Sequence, residues 1–271
     1  MMSPQFIRAV DLLRSLGVSE PSEIDVCAIA QTQGATVVEK PVKGSEARIM
    51  GFGDKALIVV NADSIPQRRR FSVGHELGHW MRDSGKISLG CNPESQFGSG
   101  DANAETSANR YASDLLMPDF MFRPRAEKRP MTFDTAADLA DTFKTSLTAT
   151  SIRLVDYGSY PAMLICSDTR GVRWSCRGPE VPKILRPQPA GRMTFASDLL
   201  RGSAGRSTSG AVYSDQWFSS VKRHSVHEDS RRMGDELVLT LLWWENEDPL
   251  IEIQEEQERR DYRRSDWRED D

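Results

Sequence analysis

"RFSVGHELGHW", residues 70–80, holds two of the four histidines in a chain of 271 residues. His75 and His79 stand four apart, and Glu76 follows the first directly. On a helix, positions i and i+4 lie one turn apart on the same face, so both imidazoles reach one point. Imidazole nitrogen binds zinc at about 2.0–2.1 Å, and zinc prefers four ligands in a tetrahedron. Glu76 is displaced around the helix and addresses the position the protein leaves open, which makes it a candidate general base. The plainer alternative is a pair of histidines packed inside a helix. Gly74 and Gly78 favour the metal, because small residues there let a neighbouring backbone come close.

The flanking residues predict the helix that this spacing needs. Ser64 and Gln67 have capping-box spacing, with Pro66 in the first turn. A helix is expected from there to about Met81, with Phe71, Gly74, Gly78 and Met81 on one stripe and Leu77 beside it. Upstream, residues 4–15 and "IDVCAIAQTQG" read as helices, the second closed by Gly34. "ATVVEK", "ARIMGFG" and "ALIVVN" read as strands, the last two joined by a Gly53-Asp54 hairpin turn.

A zinc site needs a third protein ligand. A metzincin would place glycine and histidine where Arg82 and Gly85 stand, so that class is excluded. After a turn-rich loop over residues 83–100, "DANAETSANRYASDLLMP" reads as a helix stopped by Pro118. Ala104, Ala108, Tyr111 and Leu115 form its buried row, and Glu105 and Asn109 the adjacent one. A carboxylate bordering a core is costly unless it is paired or binds a metal. Glu105 is therefore the candidate third ligand, and Asn109 the group that hydrogen-bonds a ligand histidine. Taken alone, Glu105 reads as an ordinary glutamate at a helix N-terminus. Tyr111 is an oxyanion donor in type only, since it lies on the core row. Cys91, in the loop, reads as an ordinary cysteine rather than a cap on the metal.

"RRRFSVGHELGHW" followed by "ETSANRYASDLLMP" resembles the ImmA/IrrE family of zinc-dependent metallopeptidases. The helices and hairpin upstream, and "LADTFKTSLTATSIRLVDYG" downstream, fit the same layout, so the resemblance covers roughly residues 5–160. It implies a zincin-like, gluzincin-like peptidase with His75, His79 and Glu105 as zinc ligands and Glu76 as the catalytic acid/base. Ser107 stands where many members carry a second glutamate. The resemblance also implies cleavage of a helix-turn-helix transcriptional repressor in phage, mobile-element or stress regulation. The alternative is a non-catalytic zinc-containing regulator or partner-binding protein, such as a toxin-antitoxin or repressor-antagonist component.

Charge excludes one further class. The net charge of −5 is concentrated in residues 245–271, which hold 12 acidic and 5 basic residues. The rest, with 28 acidic and 30 basic, is close to neutral. Neither part has the basic stripe of an electrostatic nucleic-acid binder. The helix pair over residues 134–157 has helix-turn-helix spacing, but its first helix carries Asp134, Asp138 and Asp141, so it reads as packing. Cys27, Cys91, Cys166 and Cys176 form no CxxC pair, and no apolar run approaches the length of about 20 residues that spans a bilayer. Both point to the cytoplasm, with no membrane partner.

The expected fold is α+β. Residues 1–130 form a zincin-like HExxH peptidase domain of helices plus a small antiparallel sheet. Residues 131–158 form a helix pair and residues 159–244 a smaller β-rich module, built on "AMLICS", "GVRWSC" and "ELVLTLLWW". "VKRHSVHEDSRRM" reads as an exposed strand without a metal, and the charged tail 245–271 as disordered and not packed.

Overall fold

Short apolar runs separated by glycine turns set the first elements. The computed structural model describes residues 6–83, 102–202, 205–219 and 221–266. The chain opens with α1 (Ala9–Ser15), which buries Leu12 and Leu13. α2 (Val26–Thr32) begins at Asp25, whose carboxylate accepts from the amides of Cys27 and Ala28. Gly34 turns the chain out of α2 with a φ of +78°, and a Cβ there would lie 2.8 Å from the Asp54 carbonyl oxygen. Only glycine fits that place.

β1 (Ala35–Lys40), β2 (Ala47–Phe52) and β3 (Lys55–Asn61) form a three-stranded sheet in the order β1-β3-β2. β2 and β3 are a hairpin closed by Phe52 opposite Lys55, as the Gly53-Asp54 turn predicts. The sheet is mixed rather than purely antiparallel, because β1 runs parallel to β3, from Ala35 opposite Ala56 to Lys40 opposite Asn61. β3 is the most apolar of the three and takes the centre, where both its edges are paired and Ala56, Ile58 and Val60 are buried.

α3 (Pro66–Asp83) carries the quoted stretch. The capping box does not form at its start. The Ser64 hydroxyl donates to Glu46 instead, while Arg69 donates to the carbonyls of Ala62 and Ser64. The loop after α3, including Cys91, lies outside the described residues. α4 (Ala102–Leu116) is followed by α5 (Asp119–Ala126), which the two prolines around and within it hid from sequence reading. α5 buries Met121 and Phe122. Two more helices, α6 (Phe133–Phe143) and α7 (Leu147–Tyr157), match the expected pair. Phe122 of α5 lies 5.5 Å, ring to ring, from Phe143.

Two compact units result. One comprises Met1–Arg125 with Leu139–Ala149, the other Ala126–Asp138 with Thr150–Asp271. α6 and α7 each contribute residues to both.

The second unit is built on β4 (Ala162–Asp168), β5 (Gly171–Arg177), α8 (Phe195–Leu200), β6 (Ser207–Tyr213), β7 (Ser225–Met233), β8 (Leu237–Trp243) and α9 (Asp248–Asp266). Its sheet is antiparallel, in the order β5-β4-β8-β7-β6. β7 is an interior strand, not the exposed one its polarity suggests. Its polar residues are buried because each is satisfied. Glu228 accepts from the Ala196 amide at 2.7 Å, the Trp217 indole at 3.1 Å and the Ser230 hydroxyl at 2.8 Å. Asp229 accepts from the Phe133 amide at 2.7 Å. His227 of the same strand stacks on Trp243 and meets Glu245 at 3.0 Å.

The first part of the tail also departs from expectation. α9 buries Leu250 and Ile253 in the core of this unit, and Lys222 pairs with its Glu252 and Glu256. The architecture is α+β, and no described helix is long and apolar enough to cross a membrane.

Candidate metal centre

α3 is buried on most of its circumference, yet two of its positions carry no side chain. Gly74 and Gly78 face α4 directly. A Cβ on Gly78 would lie 3.0 Å from the Tyr111 Cβ and 3.1 Å from the Ala108 Cα. One on Gly74 would lie 3.3 Å from the Cα and Cβ of Ala112. The two helices therefore touch nearly backbone to backbone. Trp80 ties α3 to the end of α2, its indole donating to the Gln33 carbonyl at 2.8 Å.

This approach brings three predicted residues together. His75 Nε2 lies 3.1 Å from His79 Nε2 and 3.3 Å from Glu105 Oε2. His79 Nε2 lies 3.3 Å from Glu105 Oε1. Among the described residues, His75, His79 and Glu105 form the group whose ligand atoms could share a metal ion. Four donors at 2.0–2.1 Å from a tetrahedral ion lie about 3.3–3.4 Å apart. The spacing of these donors is close to that tetrahedral edge, so the residues fit zinc.

Asn109 completes the arrangement as expected. Its Oδ1 lies 2.9 Å from His75 Nδ1 and accepts a hydrogen bond from it. That fixes the proton on Nδ1 and leaves the Nε2 lone pair aimed at the other donors. Glu76 sits one residue from His75 in a largely enclosed place. Burial, and after it the charge of Glu105, raises its carboxyl from the ordinary 4.5 to about 7. A cation held by the three donors opposes that rise.

Glu105 departs from the expectation in one respect, and Tyr111 lies where the sequence places it. Glu105 is 58% exposed, so the cost of a carboxylate at the core border is not what marks it. Its convergence with the two imidazoles does. Tyr111 is buried on the core row of α4, near Gly78 and Phe6, and its hydroxyl finds no partner among the described residues. Burial raises its phenol pKa. Its place argues against a role at the metal.

Comparison with known proteins found two similarities. A Mycobacterium tuberculosis transcriptional regulator of known structure superposes with a TM-score of 0.62 at 13% identity, over 87% of this chain and 74% of that one. At that identity the likeness concerns the fold. No curated protein matched. Residues 30–155 match the family model Peptidase_M78, the IrrE N-terminal-like domain, and the match contains all of His75, Glu76, His79, Glu105 and Asn109. Residues 30–155 are thus similar to the IrrE N-terminal-like domain of the Peptidase_M78 family.

Proposed function

We propose that the protein is a zincin-like zinc endopeptidase of the cytoplasm. Its substrate is a helix-turn-helix transcriptional repressor, and its setting is phage, mobile-element or stress regulation. The observation that carries the reading is the trio of donors at tetrahedral spacing beside an enclosed glutamate. The match of residues 30–155 to a peptidase family model supports it. The repressor substrate rests on the family alone.

When bound, the zinc supplies Lewis acidity toward a water and toward the scissile carbonyl. His75, His79 and Glu105 hold it, and Asn109 holds the His75 ring in register. Glu76 takes the proton of the attacking water on its carboxylate. It then gives that proton to the nitrogen of the departing amine. Its place one residue from His75 on α3 puts the carboxylate beside the position where that water would sit.

Glu76→Gln tests the reading. The amide keeps the shape of the side chain but accepts no proton. The variant should bind zinc and its helix-turn-helix repressor substrate, and fail to cut it. If cells carrying Glu76→Gln respond like wild type, the endopeptidase reading fails. The zinc-containing regulator that binds its partner without turnover then takes its place.

A further inference from the structure

The second unit holds a cavity of about 570 Å³ where the β4–β5 and β7–β8 hairpins meet the end of α8. That volume suits a small molecule rather than a peptide. Part of its lining is apolar: Leu199 and Leu200 of α8, with Val238. Trp174 and Leu237 also line it and remain 39% and 38% exposed. Large apolar side chains left open on a concave wall gain free energy when a ligand covers them.

Its charged lining is Arg170, Arg173 and Arg232 against Asp168, Asp235 and Glu236. These six are not equivalent. Asp168 is engaged by its own hairpin, accepting from the amides of Arg170 at 2.7 Å and Gly171 at 3.2 Å, with Arg173 Nε at 3.6 Å. Asp235 and Glu236 stand exposed at the β7–β8 turn. Arg232 is half-buried, and its guanidinium donates to the Leu199 carbonyl. The Arg170 guanidinium has no partner among the described residues. A guanidinium offers five N–H donors in a planar fork, so two arginines retain donors for an acid group. The balance of charge sets a limit. Three cations against three anions give no net field for a polyphosphate, but two arginine forks suffice for one negative charge.

We propose that this cavity binds a small monoanionic aryl acid, its ring against Trp174 and Leu237 and its acid group on Arg170 and Arg232. The site is separate from the metal centre and independent of the peptidase reading.

The probe is 1-anilinonaphthalene-8-sulfonate, an aryl monoanion that fluoresces on entering apolar surroundings, titrated into the full-length chain. Saturable binding to one site is expected. Trp174→Ala and Arg170→Gln should each weaken it by about tenfold, the scale of losing an aromatic wall or a charged hydrogen bond. Both positions are exposed on an edge strand or hairpin tip, so the thermal midpoint should stay at the wild-type value. Indole-3-acetate should displace the dye and ATP should not. Three results would overturn the proposal: no saturable binding, affinities for both variants within about twofold of wild type, or displacement by ATP as effective as by indole-3-acetate.

Discussion

Gly78→Ala should weaken the metal centre without touching a ligand. The new methyl group meets the Tyr111 Cβ at 3.0 Å, the Ala108 Cα at 3.1 Å and the Ala108 carbonyl oxygen at 3.3 Å. None of these is the end of a flexible side chain. Carbon contacts are comfortable at about 3.5–4.0 Å, so α4 must retreat by roughly 0.5 Å. Overpacking of this kind costs about 1–3 kcal/mol. Alanine recovers about 1 kcal/mol in helix propensity over glycine. The net loss of stability is then about 0–2 kcal/mol, within reach of a folded protein.

The effect on the site is larger in proportion. Both histidines ride on α3, so their 3.1 Å separation survives. Glu105 rides on α4, and its two 3.3 Å approaches lengthen. Metal–donor distances tolerate about 0.2 Å, so zinc affinity should fall by about tenfold or more. Competition with a chromophoric chelator measures it, with thermal unfolding alongside. Gly74→Ala, whose contacts start at 3.3 Å, should show the same effect in milder form. If Gly78→Ala loses stability yet binds zinc within about twofold of wild type, the close approach of the helices does not set the site, and the reasoning is wrong.

Asn109→Ala releases the His75 ring and should cost about 10–100-fold in zinc affinity by the same titration; an unchanged value would assign Asn109 no part in orienting the ligand. Zinc should slow amide exchange in α3 and α4 but leave β8 unaffected, because a ligand stabilises the structure that binds it; equal protection of both would place the metal elsewhere. Glu228→Gln turns one acceptor of a buried, fully used carboxylate into a donor facing Ala196, Trp217 or Ser230, at a cost of about 1–3 kcal/mol in urea unfolding at neutral pH. Burial raises the Glu228 carboxyl above its ordinary 4.5, so the folded chain binds its proton more readily than the unfolded one. The penalty for the charged form is present above the raised value and is relieved as pH falls through it toward 4.5. The deficit of Glu228→Gln should therefore widen on mild acidification, and a deficit that narrows would reverse the sign of this argument.

The candidate site was legible because its parts are local. His75, Glu76 and His79 lie within one helical turn and a glycine pattern, and Glu105 with Asn109 one turn apart on the next helix. What escaped reading depends on distant partners. Nothing near β1 announces that it will pair in parallel with β3 rather than with β2, since that choice is made by which strand can bury both edges. Glu228 and Asp229 look like surface residues until the amides of Ala196 and Phe133, each more than 30 positions away, are brought to them. α9 reads as a charged tail because only Leu250 and Ile253 dock, and two apolar residues leave a weak period in so many charges. α5 was lost for the opposite reason: its prolines are local signals of a break, and the buried Met121 and Phe122 override them.

α3 has to satisfy two faces at once. One presents imidazoles at i and i+4, which any helix can do. The other must be bare, because a metal held by two residues of one helix needs its third from outside, and the reach of a glutamate is fixed. Glu105 is exposed and not held by the core. Its position follows from α4, and the position of α4 follows from the missing side chains at 74 and 78. The glycines in "GHELGH" are therefore part of the pattern that brings the candidate ligands together. An HExxH segment with bulky residues at those two places keeps the same histidines and the same base, but it holds the neighbouring helix too far away for a glutamate at position 105 to close the site.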